Sequence, residues 1–90
     1  MILETRKIKE LHKNGQPMYE TTICVVAPMF APLYKNTIHN EKGEILIRTG
    51  TTKRFWNNGQ LNWQLRYNED GSLSGDNFSQ FRKDGSIITN

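Results

Sequence analysis

Over Leu61–Tyr67 the chain alternates strictly. Leu61, Trp63, Leu65 and Tyr67 are apolar, and Asn62, Gln64 and Arg66 between them are polar. A period of two predicts a half-buried strand with one face on a core and one in water. Residues 53–57 supply a partner across Asn58-Gly59, with Phe55 and Trp56 back to back, so that one of the two rings must face the polar side. Residues 77–83 pair across Asp84-Gly85 with residues 86–89. Phe78 and Phe81 fall on opposite faces of a regular strand, which predicts a bulge or an exposed aromatic there. Residues 21–27 are rich in β-branched side chains and apolar almost without break from Ile23, the pattern of a strand buried on both faces. Residues 44–48 form a short strand after Lys42-Gly43. The first segment allows two forms. Ile8 and Leu11 are three apart and Asn14-Gly15 fits a helix C-cap. A strand over 8–13 is preferred, because Met18-Tyr19 and a β run follow at once.

Five X-Gly pairs punctuate these runs: Asn14-Gly15, Lys42-Gly43, Asn58-Gly59, Asp70-Gly71 and Asp84-Gly85. Asn-Gly and Asp-Gly suit two-residue hairpin loops, whose central residues both take positive φ. The prediction is an all-β protein: a single antiparallel meander of hairpins, six or seven strands with little helix, as one small domain over residues 1–90. The segment 27–34, Ala-Pro-Met-Phe-Ala-Pro-Leu-Tyr, breaks the pattern. Its two prolines cannot sit inside a central strand, so it is a stiffened apolar loop, expected to close the apolar concave face of the sheet.

The hairpins share a loose internal repeat. Leu11-His12-Lys13-Asn14-Gly15-Gln16, Phe55-Trp56-Asn57-Asn58-Gly59-Gln60-Leu61 and Phe81-Arg82-Lys83-Asp84-Gly85-Ser86-Ile87 all read apolar, x, x, Asn/Asp, Gly, polar. Over residues 53–88 this pattern, with the Gly75-Asp76 step, resembles the MORN-variant repeats of the YwqK-like family, and residues 8–20 echo it. Residues 27–50 have no counterpart in that repeat. The resemblance implies a β-hairpin array used for protein contact, in a family with antitoxin-annotated members. It implies no catalytic residues.

Composition narrows the function. Ninety residues support one thin core, while nine aromatics argue against disorder. No apolar stretch is long enough for a membrane helix. The first residues lack the order of a signal peptide, and a single cysteine excludes an internal disulfide framework. A cytoplasmic protein is expected. Twelve basic residues face nine acidic ones, a net charge of +3. Arg6, Lys7, Lys9 and Lys13 crowd the start, while Glu69, Asp70, Asp76 and Asp84 come late. No catalytic or metal site is expected. His39 with Glu41 and Glu44 lacks the ligand set of a metal centre, and Cys24 lies in an apolar run where a buried inert thiol is the default. Residues 70–81 lack the carboxylate that a calcium loop needs at its twelfth position. Asn77-Phe78-Ser79 matches a glycosylation sequon that matters only on secretion. The chain is therefore expected to be non-enzymatic and to need no cofactor.

Two features are candidates for binding. One is the rigid apolar loop, with Met29, Phe30, Leu33 and Tyr34. It is either a plug over the sheet or a contact surface for another protein, and fixed φ at Pro28 and Pro32 would lower the entropy lost on binding. The other is basic and aromatic. Arg6, Lys7, Lys9 and Lys13 with Trp56 as a stacking platform would suit nucleic acid, as would the aromatic-basic set Lys53, Arg54, Phe55, Trp56, Trp63, Arg66 and Tyr67. Trp63 and Tyr67 share the apolar face of their strand and read as core. The leading expectation is a protein-binding module, a small inhibitor or antitoxin-like factor acting on a larger protein. A nucleic-acid-binding module is the alternative, and a structural part of a larger assembly is a third form. Exposed sheet edges also admit a homodimer.

Overall fold

The computed structural model describes residues 2–75 and 78–88. They form one antiparallel sheet of six strands: β1 (Ile2–Leu11), β2 (Pro17–Val26), β3 (Ile38–His39), β4 (Ile45–Phe55), β5 (Leu61–Tyr67) and β6 (Ser79–Gln80). The order is β1-β2-β4-β5-β6, with β3 alongside the first residues of β4. The first segment is thus a strand, and it is longer than the span 8–13. The predicted strands 44–48 and 53–57 are one continuous strand, β4. Gly50 lies inside it with φ 68, and the pairing of β4 with β2 slips between Glu20 and Thr22. That irregularity marks where β4 changes its outer neighbour. Leu46 and Ile45 pair with β3, whereas Gly50 onward pairs with β5. Phe78 is 55% exposed while Phe81 is half-buried, so an exposed aromatic is the outcome near β6. Asn77 and Thr89, which belong to the predicted strands 77–83 and 86–89, and Asp76 of the Gly75-Asp76 step lie outside the described residues.

Register assigns the two faces. On one, Cys24, Val26 and Ile47 form the core, with Ile47 fully buried and Phe30, Tyr34 and Ile45 packed against it. On the other, Thr21 and Thr52 share a buried hydroxyl hydrogen bond of 2.7 Å. Ile8 stands opposite Thr21 and Leu65 opposite Thr52. Alternation then puts Tyr19, Ile23, Trp63 and Tyr67 on that same side, all half-buried. The loop 27–34 covers an apolar part of the sheet, as expected, but on the face of Cys24, Val26 and Ile47. It does not close over the apolar side of β5. It leaves β2 directly after Val26 and folds onto the opposite face, over the residues at that end of the sheet. All six strands belong to one sheet, and the molecule measures 46 × 31 × 16 Å.

The turns also differ from the two-residue form. In the turn from His12 to Gln16, Gly15 N–H donates to the His12 carbonyl (2.9 Å) and His12 N–H to the Gln16 carbonyl (2.8 Å). That is a three-residue loop with the glycine as the left-handed residue of a bulge. Residues 40–44, 56–60, 68–72 and 82–86 repeat the same two bonds. Only the glycine of each turn takes positive φ. Asn or Asp precedes it in four of the five turns for a different reason: its side-chain oxygen accepts the N–H two residues on, as from Gln16 to Asn14 (3.0 Å) and from Gln60 to Asn58 (2.9 Å). In the fifth, residues 40–44, Asn40 at the head of the turn takes this acceptor role.

Three of these turns lie at one end of the sheet, joining β1 to β2, β4 to β5, and β6 to the last residues, and their side chains form a ladder. Asn14 Nδ2 donates to the Asn57 carbonyl (2.7 Å), and Asn58 Nδ2 donates to the Lys83 carbonyl (2.9 Å). His12 Nε2 donates to the Phe55 carbonyl (3.0 Å), and Trp56 Nε1 to the Phe81 carbonyl (3.1 Å). The Gln16 side chain lies over Gly59, and that of Gln60 lies over Gly85. The repeat in the sequence is therefore a repeat in space. The buried Thr21–Thr52 pair gives a test of the sheet's centre. Thr21→Val alone should cost about 1–3 kcal/mol in urea unfolding, because it strands the Thr52 hydroxyl. Adding Thr52→Val should recover most of that loss.

Candidate functional site

The apolar segment becomes a 3₁₀ turn, Pro28–Leu33. Pro28 opens it, where no N–H is required, and Phe30 N–H donates to the Ala27 carbonyl at 2.9 Å. Tyr34 N–H closes it on the Ala31 carbonyl at 3.0 Å. This winding divides the four side chains that the sequence grouped together. Phe30 and Tyr34 turn down onto Cys24, Val26 and Ile47. Met29 and Leu33 turn out and are 80% and 69% exposed. The turn thus has one side packed on the core, with Phe30 and Tyr34, and one exposed side, with Met29 and Leu33.

A buttress that the sequence did not signal fixes the turn from behind. Lys35 N–H donates to the Asp70 carbonyl (2.7 Å), and Asn36 Nδ2 to the Gly71 carbonyl (3.0 Å). Gly71 is buried, and a side chain there would strike the Lys35 carbonyl and Ile47. Asp70 accepts from the Ser72 hydroxyl and backbone N–H, which hold its carboxyl below the usual range. The only trace of this in the sequence is the Asp-Gly pair. Its use as a seat for residues 35–36 depends on contacts between residues 35 positions apart.

The basic and aromatic set does not come together. Arg6 lies on the Ile8 side of the sheet, bonded to Glu4 (2.6 Å) and Glu44 (2.7 Å). Lys7 and Lys9 point to the other side, and Lys13 sits in the first turn. The Trp56 ring is half-buried, with its N–H committed to Phe81 and Lys83 5.5 Å from the ring centre. The sheet instead aligns Lys7 and Lys9 with Lys53 and Arg66 of the aromatic-basic set. These line two shallow depressions joined at Thr51, with Glu20 3.9 Å from Lys9. The polar positions of the alternating strands were the available signal for that row.

Cys24 is buried, its Sγ 3.4 Å from the Thr49 hydroxyl and 3.7 Å from that of Thr5. Of the residues considered as metal ligands, Glu44 is taken by Arg6 and Asn40 (2.8 Å). Among the described residues no three His, Cys, Asp or Glu side chains form a metal-binding group. No helix among them is long and apolar enough to cross a membrane.

The Arg6 cluster makes stability depend on pH. Hydrogen bonds from Arg6 and then Asn40 hold the Glu44 carboxyl at about 2, below its ordinary 4.5. Arg6 likewise lowers Glu4. A carboxyl depressed in the folded state stabilises it fully above about 4.5 and loses that contribution as pH falls toward 2. The urea midpoint should therefore fall over this window, and Glu44→Gln should flatten the profile there. An unchanged profile in the variant would remove the cluster from the account. In comparisons with known proteins, no family model matches the chain, and neither does a curated protein or a solved structure.

Proposed function

We propose that the chain is a non-enzymatic protein-binding module, a small inhibitor of the antitoxin-like kind that covers part of a larger protein. One observation carries this: Met29 and Leu33 stand exposed on a turn whose other large side chains, Phe30 and Tyr34, are anchored in the core. An exposed apolar pair is ordinarily unfavourable and is normal singly. Here it is also pre-organised by two prolines and a buttress, which reduces what a partner must order on binding. The stacking of the three repeat turns supports the resemblance to MORN-variant hairpin arrays, from which the inhibitor reading comes. The row of Lys7, Lys9, Lys53 and Arg66 favours nucleic acid as a second reading. Such binding would fall steeply with salt.

The two roles of the turn separate by mutation. Phe30→Ala should lower the melting temperature by many degrees, since truncating a packed Phe costs roughly 3–5 kcal/mol. Met29→Ser with Leu33→Ser should melt like the wild type and fail to retain a stoichiometric protein partner in affinity purification from the native host. Retention of RNA or DNA alone, lost on Lys7→Glu with Lys9→Glu, would replace the proposal with the second reading.

A further inference from the structure

The ladder of turns has a direction. Each turn offers three donor features to the next: a ring N–H at its first position, an Asn amide at its third and a Gln side chain at its fifth. Each receiving turn supplies the carbonyl before its first position, the carbonyl of its second position, and an open seat over its glycine. The second and third turns have these receiving groups filled. The third turn cannot pass the pattern on. Arg82 replaces the ring and bends back to Ser86 Oγ (3.3 Å) and the Ile87 carbonyl (3.4 Å). Asp84 replaces Asn, and its Oδ1 accepts from the Ser86 N–H and hydroxyl. Ser86 replaces Gln.

The first turn is the opposite case. β1 is an edge strand of the sheet. The Leu11 and Lys13 carbonyls occupy the places that Phe55, Asn57, Phe81 and Lys83 fill in the later turns. Nothing lies within 4 Å of the position a side chain would take on Gly15, whereas Gly59 and Gly85 are each covered by a glutamine. Among the described residues the donor side of the ladder is closed, and Gly15 on its acceptor side is uncovered.

We infer that the β1 edge, with Leu11, Lys13 and Gly15, is the seat for a β-hairpin of a partner protein. That hairpin would carry a turn of the form His or Trp, x, Asn, Gly, Gln. Its second strand would pair antiparallel with β1, as β2 pairs with β4, and its Asn would donate to the Lys13 carbonyl. A second copy of this chain does not supply such a turn. Its first two turns spend their donors internally, and its third lacks them. Edge pairing by main-chain bonds is a general recognition mode, and here the turn adds selectivity to it. The seat is distinct from Met29 and Leu33, which lie at the opposite end of β2, about 30 Å away for ten residues of strand.

The probe is a synthetic peptide with the sequence of residues 51–67, a hairpin that carries Trp56, Asn58 and Gln60. Added to the intact protein, it should cause saturable amide shifts along β1 and at Leu11, Lys13 and Gly15. The same peptide with Asn58→Asp keeps its turn but loses the donor, and should bind about tenfold more weakly. Gly15→Asn in the protein fills the seat. Asn reaches positive φ at modest cost, so this variant should stay folded by circular dichroism and lose the peptide. The Met29→Ser, Leu33→Ser protein should bind the peptide like the wild type, whatever becomes of the protein-contact proposal. Equal binding of both peptides, shifts confined to β4 and β5 through strand exchange, or no saturable shift at millimolar peptide would each overturn the inference. So would a β1-to-β1 dimer that excludes the peptide.

Discussion

The side-chain amide of one turn, donated to the backbone of the next, is the interaction on which this sheet depends. A single-layer sheet has little core to hold neighbouring hairpins in register. Among the described residues the buried apolar side chains are Cys24, Val25, Val26 and Ile47, all near one end of β2 and β4. At the other end, register is held instead by Asn14, Asn58, His12 and Trp56, each reaching a carbonyl one hairpin along. Each such bond is worth about 1 kcal/mol net, which is a large share of the stability available to a domain of this size. The glycines matter as well, because Gly59 and Gly85 take positive φ and a Cβ on either would crowd the glutamine above it to 3.1–3.2 Å.

The small core then explains the apolar segment. Residues 27–34 cannot continue the sheet past Pro28, so they fold back and cover the one cluster that needs covering. Phe30 and Tyr34 are used for this. Met29 and Leu33, each one residue before an anchored ring, are left outward. Binding capacity thus arises from how the turn is anchored. The lysine row on the same face is the polar remainder of strands whose other side is apolar, while Arg6, on that other side, is neutralised by Glu4 and Glu44.

Much of this was legible in the sequence, for local reasons. The alternation over Leu61–Tyr67, the five glycine turns and the repeat of apolar, x, x, Asn/Asp, Gly are short-range signals, and they specify strands and hairpins. Which turn type forms was misjudged, because Asn-Gly serves both two-residue and three-residue loops. The deciding bond, from Gln16 N–H to the Asn14 side chain, is not encoded in composition. The division of residues 29–34 into anchored and exposed members was also hidden, since Met, Phe, Leu and Tyr are equally apolar and only the winding of the backbone sorts them. Pairings such as Arg6 with Glu44 and Asn36 with Gly71 join residues more than thirty positions apart. A single sequence carries no periodic trace of those.

The most direct test of the ladder is amide hydrogen exchange on Asn58→Asp. The carboxylate still accepts the Gln60 N–H, so the turn itself is retained, but the donor to the Lys83 carbonyl is gone. The account predicts faster exchange at Phe81 and Ile88, whose N–H groups bond Asn62 and Gln80, with protection in β1 and β2 unchanged. Unaltered exchange at Phe81 and Ile88, or an equal loss throughout the sheet, would contradict it.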